Sequence, residues 1–244
     1  MTPHNVLDGI TAIRQAADAT ALHQAMTRTA SAMGFEYWCL VQQANDGIAF
    51  DEIQYNNYPS QWVARLSRDY FYIHDPVLKA CHDRSVPFWW DELEDLIEMN
   101  GQQRAYMAMA AEMGIRSGLT VPWHLPGEPS ALMSLASSLQ VPRAVEIEQA
   151  ANFVACWGME RARRIRDAGS SSSTRRMSEP AATIVRMMTR GLSPGSIAVH
   201  LEMPRDEVVA VINGLRKEYR TSSDIEVVVR GIHNGRLKTT ELLW

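Results

Sequence analysis

Between Asn57 and Leu93 the chain reads NYPSQWVARLSRDYFYIHDPVLKACHDRSVPFWWDEL, which sets three tryptophans and three tyrosines around Asp75, immediately before Pro76. Clustered aromatics mostly build cores. A carboxylate among them is different, because a buried charge without donors is costly. Asp75 with Trp62 and Tyr58 offers one acceptor and two donors around an otherwise apolar hollow. That composition suits a small amphiphilic ligand with an amide and a carbonyl.

Other chemistries find less support. Gly191-Leu192-Ser193-Pro194-Gly195 matches the G-x-S-x-G pattern of a hydrolase nucleophile elbow, which must sit between a strand and a helix. Here a helical pattern precedes it and no Asp…His pair follows, so it reads as a turn. The seven histidines have no i,i+4 or C-x-x-C companion, so no metal site is expected. Cys81 and His82 are neighbours, and neighbours on an extended chain point to opposite faces. No phosphate loop occurs. An enzyme is not indicated, and no cofactor is expected beyond a small-molecule ligand.

The run Asn57–Leu93, followed by Gly114-Ile115-Arg116-Ser117-Gly118-Leu119-Thr120-Val121-Pro122, resembles the ligand domain of LuxR-type quorum-sensing regulators. The spacing that carries the resemblance is Tyr58 four residues before Trp62, Asp75 thirteen after it and Trp90 fifteen further on. The similarity covers most of residues 35–139. It implies an N-acyl-homoserine lactone as ligand, with the Trp62 indole N–H donating to the lactone carbonyl and Asp75 accepting from the amide N–H. Tyr58 would donate to the amide carbonyl, Ser134 would support the same oxygen, and Trp90 would pack on the lactone ring. Cys39 and Val41 would line the acyl chain. The family usually has a tyrosine four residues after the tryptophan. Here that place is Leu66, which cannot hydrogen-bond and presents a differently shaped apolar wall.

These residues need a scaffold. Asp8–Met33 has apolar residues at helical spacing and stops at Gly34. Phe35–Gln43 suits a buried strand, with Asn45-Asp46-Gly47 as a turn and Ile48–Tyr55 as partner strand. Ser60–Phe71 reads as a helix opened by a serine cap. Asp91–Met113 reads as one helix stopped by Gly114, Leu119–Pro122 and Ser130–Ser138 as strands split by a Pro-Gly turn, and Arg143–Ile165 as helix. Strands flanked by helices predict an α+β fold with an N-terminal α-β-α sandwich. Residues 161–176, RARRIRDAGSSSSTRR, hold a basic run, Gly169 and four serines; they read as a linker, with a solvated helix end as the alternative for the arginines. The division is residues 1–165 for the ligand domain, 166–176 for the linker and 177–244 for an all-α helix-turn-helix domain. In that last part Ala182–Arg190, Gly195–Leu201, Arg205–Tyr219 and Ser223–His233 are short helices joined by tight turns.

By the same resemblance the tail is a DNA-binding domain, with Gly191, Ile197, Ala198, Leu201 and Val208 at the family's framework positions. Those are core positions and speak for fold only. Its contact surface departs from the family: Ala181 stands where the family keeps a glutamate, and the recognition helix begins Pro204-Arg205-Asp206-Glu207. Acidic residues there would repel phosphates, and Val209 and Val211 offer base edges no hydrogen bond. Arg205, Asn213, Arg216, Lys217 and Arg220 remain as DNA-contact candidates, with a solvated helix end as the alternative for the last three.

Composition agrees with two modules. The 244 residues are 46% apolar and 21% charged, which excludes wholesale disorder. The net charge of −4 conceals a basic tail: from Arg175 onward there are 11 Lys/Arg against 8 Asp/Glu. The longest apolar stretch, residues 121–139, is broken by prolines, His124 and Glu128, so no membrane span is expected. Three scattered cysteines and no visible secretory signal point to the cytoplasm. The expectation is a homodimeric regulator that binds an N-acyl-homoserine lactone and promoter DNA. The alternatives are a DNA-binding-deficient relative that acts by heterodimerising with a related factor, and a sensor of a different small molecule.

Overall fold

The computed structural model describes residues 3–42, 53–67, 72–125, 130–169, 177–233 and 237. The Asn45–Gly47 turn, the first part of the Ile48–Tyr55 strand, the Pro-Gly turn, the serine run and most of the chain beyond 233 lie outside the described residues. Two compact units divide the chain after Gly169. Among the described residues no helix is long and apolar enough to cross a membrane.

The first unit is built on an antiparallel sheet of order β2-β1-β5-β4-β3. Its strands are β1 (Tyr37–Gln42), β2 (Ile53–Asn56), β3 (Phe88–Trp89), β4 (Ser117–Trp123) and β5 (Ala131–Ser137). Side chains alternate across a strand, so parity decides which face each residue serves. Trp38, Leu40, Leu119, Val121, Met133 and Leu135 face one way, into a core closed by α1 (Pro3–Gln15), α2 (Ala19–Ala32) and α7 (Val145–Gly169). Cys39, Leu132, Ser134 and Ala136 face the other way, under α3 (Ser60–Ser67), α4 (Pro76–Cys81), α5 (Leu93–Leu96) and α6 (Gly101–Glu112). Helices therefore cover both faces of the sheet, which gives the α-β-α sandwich of an α+β fold.

Four expectations about the elements need correction. Asp8–Met33 is two helices: Asp18 adopts an extended backbone and its side chain accepts from the Ala21 N–H at 2.8 Å, starting α2 afresh. Asp91–Met113 is likewise divided. A 3-10 turn (Trp90–Glu92) and α5 end at Ile97, and a reciprocal cap between Asn100 and Gln103 (2.9 and 3.0 Å) opens α6. Ser60 is the first helical residue of α3, since the Pro59 carbonyl already accepts from Trp62 and Val63 N–H groups. Finally, α7 runs to Gly169, so residues 166–169, read as linker, are helical, and Arg166 donates to Gln42 at 2.9 Å.

The second unit holds α8 (Glu179–Thr189), α9 (Pro194–His200), α10 (Arg205–Glu218) and α11 (Asp224–His233). Ile184, Ile197, Val208 and Ile212 form one buried cluster, and Val185, Leu215 and Val228 belong to another. The G-x-S-x-G segment is the turn between the first two of these helices. Gly191 takes φ +77°, a left-handed conformation that ends α8, and the Ser193 hydroxyl caps α9 by accepting from the Ser196 N–H at 3.2 Å.

Candidate ligand site

A cavity of about 80 Å³ lies between the sheet and the helices over its second face, and all eight ligand candidates line it: Cys39, Val41, Tyr58, Trp62, Leu66, Asp75, Trp90 and Ser134. Strand parity supplies Cys39, Val41 and Ser134. Helix α3 supplies Trp62 and, one turn later, Leu66 on the same face.

Asp75 is the N-cap of α4, with Pro76 at the first helical position. Its Oδ1 accepts from the Val77 N–H at 2.8 Å and its Oδ2 from the Tyr106 hydroxyl at 3.0 Å. Burial lifts this carboxyl from 3.8 to about 6; hydrogen bonds from Val77, Tyr106 and Leu78 hold it from rising further. No cationic side chain contributes to its balance among the described residues. Tyr106 stands edge-on to Trp62, ring centroids 5.2 Å apart, and its own pKa is pushed well above the usual phenol value by burial and by the Asp75 charge.

A polar row runs across the second face of the sheet and meets the cavity wall at Cys39 and Ser134. Cys39, Ser134 and Thr120 are direct cross-strand partners on β1, β5 and β4. The Trp90 indole donates to Thr120 Oγ1 at 2.8 Å, and Thr120 Oγ1 lies 2.7 Å from Ser134 Oγ. The Cys39 sulfur is within hydrogen-bond reach of the Tyr58 hydroxyl and of Ser134; burial pushes its thiol up to about 11. Gly118 makes room for Trp90: a Cβ there would fall 2.4 Å from the indole.

The sequence reading missed three features of this site. Tyr106 passes for an ordinary apolar position of a helix, and nothing in the sequence marks it. Thr120 was legible through parity, since it alternates with Leu119 and Val121. Helix α4 was legible too: Asp75-Pro76 is a capping residue followed by a proline suited to the first helical position. Tyr72, Gln54 and Met107 also line the cavity without having been singled out.

The DNA-contact candidates all lie on or just after α10, in differing situations. Arg205, Asn213, Lys217 and Arg220 are exposed. Arg216 is engaged: its Nε and Nη2 donate to Asp224 Oδ1 at 3.0 and 2.7 Å, and its Nη1 to Asn213 Oδ1 at 3.3 Å. Asp206 and Glu207 occupy the first turn, where carboxylates suit the helix dipole.

Residues 18–162 match the family described as the autoinducer binding domain. The chain is 30% identical over 112 residues to the transcriptional activator TraR of Agrobacterium vitis, spanning 43% of this chain and 48% of that protein, about half the relative's length. It is 19% identical over 230 residues to the transcriptional activator AhyR of Aeromonas hydrophila, spanning 90% of this chain and 87% of the relative. In structure it is similar to Escherichia coli SdiA, with a TM-score of 0.76 over 95% of this chain and 97% of that one at 18% identity. SdiA in complex with octanoyl-rac-glycerol gives a TM-score of 0.75 over 94% of this chain and 93% of that one at 17% identity. At such identities the structural likeness speaks for the fold alone.

Proposed function

The chain belongs to the autoinducer-binding domain family, and on that footing we propose that it is a cytoplasmic, non-enzymatic transcriptional regulator that binds an N-acyl-homoserine lactone. In this reading Asp75 accepts from the ligand amide N–H and Trp62 donates to the lactone carbonyl. Tyr58 and Ser134 converge on the amide carbonyl, Trp90 packs on the lactone ring, and Cys39, Val41 and Leu66 wall the acyl chain. The observation that carries the reading is the Asp75 carboxylate in a largely apolar cavity, held by the backbone N–H groups of Val77 and Leu78 and the Tyr106 phenol and neutralised by no cation among the described residues. A carboxylate so placed retains acceptor capacity for a further donor, and hydrogen bonds to charged groups are worth about 1.5–3 kcal/mol.

The test is extraction of the purified full chain, produced with and without added N-octanoyl-homoserine lactone, followed by mass spectrometry and a thermal-shift titration. Co-purification of the lactone and a concentration-dependent rise in melting temperature are expected. Asp75→Asn should weaken binding more than about tenfold while keeping the helix cap. A variant that binds as tightly as the parent would remove Asp75 from the site.

The second unit is read as the DNA-binding half of a dimer acting on a two-fold operator. The engagement of Arg216 by Asp224 favours a weakened DNA surface. Mobility shifts on genomic fragments across a salt series decide the point. No specific shift at any salt would favour the alternative, a regulator that acts by heterodimerising with a related factor.

A further inference from the structure

Thr120 is fully buried, and among the described residues its hydroxyl meets only the Trp90 indole N–H and the Ser134 hydroxyl. An indole nitrogen can only donate. Thr120 therefore accepts from Trp90, and its own hydrogen must find an acceptor, because a buried donor left unmade is costly. That acceptor is Ser134 Oγ, 2.7 Å away. The direction of the chain is thus fixed from its closed end: indole to threonine, threonine to serine. What remains to Ser134 is a second lone pair and its own O–H, and that hydrogen, lacking a strong acceptor in the protein, is free to donate into the cavity. In the unliganded site the nearby sulfur of Cys39, its cross-strand partner, is a weak acceptor for that hydrogen.

We propose that the Trp90–Thr120–Ser134 chain presets Ser134 as a hydrogen-bond donor, so that the ligand atom it recognises is an acceptor oxygen, with Thr120 as a positioning residue that touches no ligand. The inference rests on the ligand reading above and deepens it. It assigns a specificity role to a residue outside the cavity wall and makes an acceptor oxygen, over a ligand N–H or a bare methylene, the partner that satisfies the Ser134 hydrogen. Trp90 is fixed by the same chain: its N–H is spent on Thr120, so only its ring faces the ligand.

Two measurements on the full chain test this separately from the ligand's identity. In ¹⁵N-indole spectra of the unliganded protein, with the Trp90 signal assigned by Trp90→Phe, Thr120→Val should move that resonance strongly and Thr120→Ser should leave it nearly unchanged. Ser134→Ala should move it by a smaller but resolved amount, because bonds in a chain polarise one another. A Trp90 signal indifferent to Thr120→Val or to Ser134→Ala overturns the chain whatever the protein binds. Titration with N-octanoyl-homoserine lactone forms the second arm. Ser134→Ala should cost about tenfold in affinity in the parent but less than about twofold in the Thr120→Val background, whereas Thr120→Ser should preserve the full effect. Equal costs in both backgrounds overturn the preset-donor role. A parent chain that does not bind the lactone sinks the ligand reading, while the spectra still decide the chain.

Discussion

At the scale of single residues, Asp75 does two jobs that oppose each other. As a cap it stabilises α4, and as a buried anion it costs free energy. With its folded pKa raised from 3.8 to about 6, the unliganded protein binds more protons than the unfolded chain between those values. Stability from this group is therefore full below about 3.8 and is lost as pH rises through about 6, a difference on the order of 3 kcal/mol. Asp75→Asn keeps a competent cap and removes the charge. The melting-temperature difference between variant and parent should accordingly grow in the variant's favour from pH 4 to pH 7.5, checked without ligand by a thermal-shift series. A pH-independent difference would refute this account. Tyr106→Phe removes a bond that favours the charged form, so it should move the same window to higher pH. None of this was readable from the sequence beyond Asp75 itself: Tyr106 lies 31 residues away, and only the fold closes that distance.

At the scale of elements, the site depends on how strands and helices present their faces. Gly118 on β4 leaves space for the Trp90 ring, and a methyl there would lie 2.4–2.7 Å from three indole atoms. Gly118→Ala should cost about 1–3 kcal/mol through overpacking and shift Trp90 off Thr120. Indole spectra and chemical denaturation together check both effects. In the second unit the pair Arg216–Asp224 joins α10 to α11, with side chains 35% and 50% exposed. A pair so exposed contributes little to stability, so its chief consequence is to occupy a guanidinium. Asp224→Ala should free Arg216 and steepen the salt dependence of DNA binding by about one unit, while Lys217→Ala should flatten it by about one. Unchanged slopes in gel-shift titrations would take both residues out of the interface. The two helix divisions missed from sequence share a cause. Asp18 and Asn100 are short polar caps inside runs whose apolar spacing continues past them, and periodicity alone does not register a cap.

At the scale of the whole molecule, each compact unit has a hydrophobic core of its own. Calorimetry of the full chain should resolve two transitions, only one of which rises with N-octanoyl-homoserine lactone; a single transition that rises as a whole would contradict this. The helix-covered sheet was open to reading from apolar alternation, and eight of the residues that line the cavity from the family resemblance that the spacing of rare aromatic residues carries, because both signals are local and survive in one dimension. The direction of the hydrogen bonds from Trp90 to Ser134, the phenol on Asp75 and the engagement of Arg216 were not. Each of these joins groups on different elements, and a hydrogen bond depends on distances and angles that only packing of the strands and helices sets.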